Sequence, residues 1–182
     1  MKKTIIIGLV LLAAVVSAKN TVIYENFDRY ARLDWRDYWK CESTEGGQWN
    51  VAAREGSEKN LYLFYESPLY ERHFGSAIYL KNLSLIIGDR YTVELDYKNY
   101  CNGGGLTFVH LGRTCVGILT NYTYPWTRFK ATVVITETER SQFLVYAEGN
   151  GYHLLNIDNI IVEKCGVGIE PNSIGKIKAL YK

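Results

Sequence analysis

Apolar and polar residues alternate most clearly between Tyr124 and Cys165 of this 182-residue chain. Every second residue from Phe129 to Ile135 is apolar, and most residues between them are polar, which is the period-two pattern of a half-buried strand. The alternation resumes from Phe143 to Ala147, after a polar turn. The next run, Leu154 to Val162, is apolar almost throughout, as in a strand that lies deep in a sheet. The pattern predicts three consecutive antiparallel strands.

Shorter runs of the same kind precede this stretch. The clearest is Tyr91 to Tyr97, in which apolar residues alternate with Thr92, Glu94 and Asp96. Counting all such runs gives about ten short strands separated by turn residues, the number and spacing of a sandwich or barrel. No segment of the folded body predicts a helix with similar clarity. We therefore expect an all-β protein, an antiparallel two-sheet jelly-roll β-sandwich.

The first eighteen residues have the pattern of a secretory signal peptide of bacterial type. Lys2 and Lys3 precede an apolar stretch, and small residues end at Ala18, where cleavage is expected. Removal of the peptide, which carries a helical apolar segment, would release the protein to the cell surface or the medium. An uncleaved membrane anchor is the alternative, and no other segment is long and apolar enough to span a bilayer.

The mature chain divides into a sandwich domain, residues 19–165, and a linker with a short tail, residues 166–182. Ser173 can cap a brief helix in the tail, but a helix of that length is marginal alone. The tail is a frayed or docked end, or an attachment signal. Without Lys2 and Lys3 the charge is close to neutral, so no basic surface favours nucleic acid or anionic lipid as a partner.

All four cysteines follow the signal peptide, and none of their spacings is that of a zinc site. Disulfides are therefore expected in an exported protein. Cys101 and Cys115 bracket one short turn and a strand, which favours that local pair. Cys41 and Cys165 would then join the beginning of the domain to its end, and closing so long a loop contributes roughly 4 to 5 kcal/mol in the chain-entropy model.

An aspartate interrupts the last apolar run. Asp158 lies in the sequence NIDNI, between Asn156 and Asn159 and their isoleucine neighbours. Burial of a carboxylate without a partner is costly. We therefore expect Asp158 to have a partner elsewhere in the fold.

Five short pieces of sequence occur in an order that resembles a known group of sandwiches. They are YENFD, GGQWNV, GDRYTVELDYK, PWTRFKATVVIT and NIDNIIVEKC. Together they are similar to the carbohydrate-binding-module-like jelly rolls, galactose-binding-like sandwiches found as accessory modules of secreted polysaccharide-degrading enzymes and in surface proteins. The resemblance covers most of residues 22–165. The opening ENFD with its later tryptophans also resembles the concanavalin-like and laminin-G-like sandwiches.

The first resemblance implies a structural calcium ion that joins the first and last strands. Its acidic ligands would be Glu25, in YENFD, and Asp158, in NIDNI. Calcium takes six to eight oxygen ligands, so backbone carbonyls near residues 46–48 would complete the site. The alternative is that Asp158 accepts hydrogen bonds from loop amides or pairs with a basic side chain.

The same resemblance implies glycan binding, which needs an aromatic surface against a sugar ring and polar groups for its hydroxyls. Trp49 and Trp126 open strands and are predicted to lie in the core. The predicted ligand-binding residues stand in loops instead; they are Trp35, Tyr38, Trp39, Tyr70, Arg72, Tyr122 and Tyr124.

No pattern of catalytic residues accompanies these aromatics. The histidines are scattered, without the spacing of a metal site. Glu94 and Asp96 could serve a glycosidase, but their alternation places both on the solvent face of one strand. The sequence therefore predicts a secreted, non-catalytic carbohydrate-binding or surface-recognition module with a glycan or polysaccharide as its partner. An adhesive protein that binds another protein is the alternative, and a glycoside hydrolase is a remote one.

Overall fold

A computed structural model describes residues 20–43, 47–53, 60–67, 74–80, 83–120, 123–137 and 142–165. The predicted signal peptide and the predicted tail lie outside these ranges. Within them, no helix is long and apolar enough to cross a membrane.

Eleven strands and two 3-10 helices make up the described part of the chain. The helices are Asp28–Ala31 and Trp35–Asp37. The strands are β1 (Asn20–Glu25), β2 (Trp39–Ser43), β3 (Gln48–Ala53), β4 (Leu61–Glu66), β5 (Phe74–Leu80), β6 (Arg90–Asn102), β7 (Leu106–Leu111), β8 (Thr114–Leu119), β9 (Thr123–Val134), β10 (Phe143–Gly149) and β11 (Tyr152–Lys164).

The strands form two antiparallel sheets that pack face to face. Sheet A has the order β3-β4-β11-β6-β9, and β1 also pairs with β11 beside the end of β4. Sheet B has the order β2-β5-β10-β7-β8. This arrangement confirms the predicted all-β sandwich of antiparallel sheets.

The core lies between the inner faces of the sheets. The alternation read from the sequence sets these faces, because the even spacing of Leu155 and Ile157 on β11 and of Val145 and Ala147 on β10 leaves all four side chains fully buried. β11 pairs with strands on both sides, as expected for its apolar run.

A β-bulge on β11 explains the NIDNI sequence. The pairing of β11 with β6 shifts between Asp158 and Ile161, and Asn159 adopts the left-handed region at φ 48°, which asparagine tolerates better than most residues. Asp158 Oδ1 accepts a hydrogen bond from the Asn159 amide at 2.7 Å, and Asn159 Nδ2 donates to Asp96 at 2.8 Å. Asp158 is buried, as expected, and its partners include the backbone of the bulge itself.

The predicted Cys101–Cys115 disulfide is not formed, and both thiols are free. Cys101 faces the core from sheet A, where its sulfur accepts a hydrogen bond from the Gly105 amide. A register shift in the β7–β8 pair places Cys115 opposite His110, on the outer face of sheet B. Because sheet B lies between the two sulfurs, the close Cα approach that a disulfide needs is excluded.

The predicted Cys41–Cys165 disulfide is not formed either. Cys41 is paired with the buried Ile78 at the edge of sheet B, so it shares the inner side of that sheet. The Cys165 sulfur lies 3.2 Å from Thr92 Oγ1 at the end of β11 in sheet A. The first and last strands of the predicted domain are joined instead by the β1–β11 ladder, which pairs Asn20 with Lys164.

Candidate functional site

The carboxylate of Glu25, the first predicted calcium ligand, is buried and fully engaged by neighbouring side chains. Its Oε1 accepts a hydrogen bond from the Phe27 amide at 2.9 Å. Its Oε2 accepts from Arg29 at 2.6 Å and from the Tyr30 hydroxyl at 2.9 Å. The guanidinium of Arg29 also lies 4.7 Å from the ring centroid of Tyr38. Burial and the Glu25 charge together raise the pKa of Tyr30 to about 12.

These contacts do not fit a calcium ion at Glu25, because a guanidinium already occupies the position of the cation. A calcium ion at Glu25 would have to displace the Arg29 guanidinium and would be repelled by its positive charge. Among the described residues, no three acidic, histidine or cysteine side chains come together in a way that could hold a metal. We infer that Arg29 neutralises the buried carboxylate.

A chelator should therefore leave the thermal unfolding midpoint of the protein unchanged. Arg29→Met should lower the free energy of unfolding by about 1 to 3 kcal/mol, because it leaves a buried carboxylate without its cation. Arg32→Met, at an exposed position seven residues after Glu25, is the control and should change stability by less than about 0.5 kcal/mol. A lower midpoint in chelator would instead support the calcium site.

The aromatic residues predicted to form a ligand platform before Cys41 are mostly buried. Trp35 is 6% exposed and Trp39 is 1% exposed, so neither ring can offer a face to a sugar. Both belong to the core and reach the surface only at the edge of a crevice of about 420 Å³ between β2 and β3. Tyr38 is 43% exposed, but one side of its ring is covered by Arg29.

Trp49 and Trp126 were both predicted to lie in the core, but only one of them does. Trp49 is buried and donates from Nε1 to Ser76 at 2.8 Å, which confirms the prediction. The prediction for Trp126 is wrong: its ring meets Tyr62 and Lys98 on the outer face of sheet A. Tyr70, Arg72, Tyr122 and the side chain of Tyr124 lie outside the described part of the structure.

A row of aromatic and apolar side chains crosses the outer face of sheet B. Pairing aligns Tyr79, Leu144 and His110 on β5, β10 and β7, and it aligns Ala77, Tyr146 and Phe108 on the same strands. We call this surface the sheet B stripe; it consists of Tyr79, Ala77, Leu144, Tyr146, His110 and Phe108. Tyr79 and Ala77 are buried, whereas the other four side chains are partly exposed. It runs across three neighbouring strands, which span roughly 10 Å at a spacing of about 4.8 Å.

The rings of Phe108 and Tyr146 lie side by side in the sheet B stripe, on the neighbouring strands β7 and β10. Their centroids are 6.4 Å apart, and their planes differ by only 25°. Phe108 also contacts the His110 ring at 6.3 Å. These half-exposed rings provide an apolar surface that solvent reaches, unlike the rings of Trp35 and Trp39.

Polar groups border the sheet B stripe at both ends. Near the β7–β8 turn a cavity of about 470 Å³ is lined by His110, Gly112, Arg113, Gln142, Leu144 and Tyr146. At the β2 end, the Tyr79 hydroxyl donates to Glu42 at 2.6 Å. Burial and a hydrogen bond to Glu148 raise the pKa of Tyr146, and burial lowers the pKa of His110. The surface therefore presents neutral rings flanked by an amide, a guanidinium and carboxylates.

Comparison with known proteins finds similarity in structure but not in sequence. No protein-family model and no curated protein matches the chain. The C-terminal family 22 carbohydrate-binding module of Clostridium thermocellum Xyn10B superimposes with a TM-score of 0.55 at 12% identity, over 84% of this chain and 99% of that module. The CBM22-1 xylan-binding domain of Paenibacillus barcinonensis Xyn10C gives a TM-score of 0.53 at 11% identity, over 84% and 99%.

A larger solved structure is similar over one of its parts. It is the CBM22-1 and GH10 portion of Clostridium thermocellum xylanase Xyn10B, complexed with xylohexaose, with a TM-score of 0.53 at 14% identity over 81% of this chain. The present chain spans only 29% of that protein. This chain has the jelly-roll fold of the carbohydrate-binding modules. The first of the two resemblances seen in the sequence is thus confirmed for the fold.

The acidic pair on β6 shows no feature of a catalytic dyad in this carbohydrate-binding-module fold. Glu94 pairs with Lys130 at 2.8 Å and with Arg128 at 2.9 Å, and Asp96 pairs with Arg128 at 2.9 Å. Hydrogen bonds from Lys130 and Arg128 lower the pKa of Glu94, whereas a general acid needs a raised pKa. Both carboxylates lie on the outer face, as the alternation predicted.

The sequence contains a signal for the sheet B stripe that the prediction from loops did not use. In LTFVHL and FLVYAEG the inward positions are apolar apart from Thr107, and the outward positions carry Phe108, His110, Leu144 and Tyr146 where a solvated strand face would be polar. Contiguous aromatic and apolar residues on an exposed face indicate an interaction surface.

Proposed function

We propose that the protein is a non-catalytic carbohydrate-binding module whose sheet B stripe holds a polysaccharide chain. The observation that carries the proposal is the pair of partly exposed rings, Phe108 and Tyr146, which lie side by side on two neighbouring strands. Sugar rings present apolar C–H faces that pack on aromatic surfaces, and their hydroxyl groups need polar partners at the rim. The partly exposed side chains of β10 and β7 and the polar groups beside them supply both.

The rim groups suit hydroxyl groups in both hydrogen-bonding roles. Glu42 and Glu148 accept hydrogen bonds, whereas Arg113 donates and Gln142 does both. The stripe crosses several strands in a line, so it accommodates successive sugar rings of one chain better than a single compact ligand. Two of the similar structures are described as a xylan-binding domain and as a complex with xylohexaose, which makes xylan the first polymer to test.

We also place the protein outside the cell. The signal-peptide pattern of the first eighteen residues supports export, where a polysaccharide is accessible as a ligand. The remaining alternative, adhesion to another protein, is addressed by the same binding experiment.

Tyr146→Ala should weaken binding to xylohexaose at least about tenfold in titration calorimetry, because it removes half of the central aromatic surface. Phe108→Ala should have a similar effect. Tyr24→Ala is the matched control, since Tyr24 is 65% exposed on β1 and should leave the affinity unchanged. The same pattern is expected for retention on insoluble xylan.

Two results would contradict the proposal. One is retention of the unaltered protein on none of a panel of xylan, cellulose, mixed-linkage glucan and galactan. The other is glycan binding that persists at full affinity in a folded Tyr146→Ala, Phe108→Ala double variant.

A further inference from the structure

A second group of aromatic side chains covers part of the outer face of sheet A. Tyr62 lies on β4 and Trp126 on β9, and β11 and β6 separate these strands in the sheet. Their ring centroids are nevertheless only 5.7 Å apart, with planes at 77°. The two rings must therefore lean toward each other above the central strands.

A small pocket opens beside these rings. Its volume is about 130 Å³, and its lining residues are Lys98, Asn99, Tyr100, Thr123, Leu154 and Asn156. Lys98 and Asn156 are directly paired across β6 and β11, so an ammonium group and an amide stand side by side. Tyr100 and Tyr152 make a ring contact at 6.2 Å next to the pocket.

The side-chain oxygen of Asn156 is the first feature that indicates a ligand. It is buried, and it has no hydrogen-bond partner within the described part of the chain. A buried acceptor without a donor costs free energy, and such groups are rare in folded proteins. A hydroxyl group placed in the pocket would supply the missing donor.

The charge of Lys98 is the second feature. Its Nζ lies 5.5 Å from the ring centroid of Trp126, and it makes no ion pair with any residue that the structure describes. Among the residues that line the pocket, Lys98 is the only charged one. The nearby acids Glu94 and Asp96 pair with Arg128 and Lys130. The pocket lining therefore combines one cationic group with an unused acceptor.

We propose that this pocket is a second carbohydrate site, selective for a sugar residue that carries a carboxylate. The carboxylate would pair with the Lys98 ammonium, a ring hydroxyl would donate to Asn156 Oδ1, and the apolar side of the ring would rest on Leu154 and Trp126. The small volume accommodates a single terminal residue rather than the interior of a chain. The site lies on the opposite sheet from the sheet B stripe, and the proposal does not depend on that surface.

The test is a titration of the full mature chain with glucuronate and with glucose, followed by two-dimensional ¹⁵N–¹H NMR. The indole N–H of Trp126, assigned with Trp126→Phe, reports on the pocket, because the described tryptophans Trp35, Trp39 and Trp49 are buried. We expect glucuronate to shift this signal at concentrations at least tenfold lower than glucose does. The response should weaken as salt is added, since it depends on an ion pair.

Lys98→Met should raise at least tenfold the glucuronate concentration that is needed to shift the Trp126 indole signal. Lys98→Arg should retain most of this shift. Asn156→Ser, which keeps a small polar side chain, should weaken the response without loss of folding. Tyr146→Ala, in the other sheet, should leave it unchanged.

Three outcomes would overturn the proposal. They are equal responses to glucose and glucuronate, a folded Lys98→Met variant with the response of the unaltered protein, or loss of the response in Tyr146→Ala. The last outcome would assign glucuronate binding to the sheet B stripe. Failure of the unaltered protein to bind any polysaccharide of the panel would contradict the proposed function and leave this second site in place.

Discussion

Trp39→Ala should lower the free energy of unfolding by about 3 to 5 kcal/mol, the range for loss of a large buried aromatic side chain. Trp39 is 1% exposed. Its ring meets Phe143 edge-on at 6.2 Å and Phe27 at 5.8 Å, so it joins β2 and β10 of sheet B to the segment that follows β1. Alanine would leave a cavity among rings from three parts of the chain. Urea unfolding of the variant and the unaltered protein measures the difference.

Two controls separate packing from ligand binding at this position. Trp39→Phe should cost much less, because it keeps most of the ring volume and removes an indole N–H that is buried without a partner in the described structure. Tyr38→Ala changes a neighbouring ring that is 43% exposed, and its cost should be about 1 kcal/mol, from the contact with Arg29. A folded Trp39→Ala variant of unchanged stability that fails to bind glycan would instead restore Trp39 as a ligand residue.

The protein should lose stability on acidification between about pH 6.5 and pH 4 because of one buried histidine. Burial lowers the pKa of His153 from 6.5 to about 4. In this window the unfolded chain binds a proton at His153 and the folded chain does not, so stability falls as the pH falls. At 1.36 kcal/mol per pKa unit the loss is on the order of 3 kcal/mol at pH 4.

Burial keeps His153 neutral, and its hydrogen bonds connect it to the proposed site. Asn99 Nδ2 donates to the Leu119 and Thr120 carbonyls, which leaves Asn99 Oδ1 as the acceptor for His153 Nε2 at 2.7 Å. The same nitrogen lies 3.2 Å from Thr107 Oγ1. Thr107 precedes Phe108 on β7, so the neutral histidine of sheet A helps to hold a central strand of the sheet B stripe.

Urea unfolding at pH 7, 5 and 4 tests this prediction. His153→Gln keeps a side-chain N–H donor but cannot titrate, so its stability should vary much less than that of the unaltered protein over this range. Carboxylates titrate in both proteins, and the difference between the two curves isolates His153. Curves of equal slope would show that His153 is not the titrating group. His110→Gln serves as a control for the half-exposed histidine of the stripe.

Much of the fold could be predicted because alternation reports directly on the inner faces of the sheets. Val93 and Leu95 on β6, and Val145 on β10, occupy the predicted buried positions. Bulges are not visible in the same pattern. The shift between Val109 and His110 in the β7–β8 pair changes which residues oppose each other, and without it Cys115 would oppose the buried Leu111. The Cys101–Cys115 disulfide was predicted from the short distance between the two cysteines in the sequence, which gives no information about the β-bulge that turns Cys115 outward.

The candidate site was harder to predict from the sequence. Aromatic side chains were expected to be exposed wherever the segment around them showed no strand alternation. The segment around Trp35 and Trp39 has no strand period, and two 3-10 helices fold its rings into the core. Trp126 was assigned to the core because it opens a strand. It is two and four residues before Arg128 and Lys130 in β9, so the alternation of the strand places all three side chains on the outer face of sheet A. Parity within a strand was therefore a better guide to exposure than position in a loop.

Backbone NMR of the protein titrated with xylohexaose tests most directly whether the outer face of sheet B binds a polysaccharide chain. We expect the largest shifts at Phe108 and His110 on β7 and at Leu144 and Tyr146 on β10, with small shifts on the outer face of sheet A. Largest shifts at the crevice beside Trp35 and Trp39, or on β4 and β9, would contradict it.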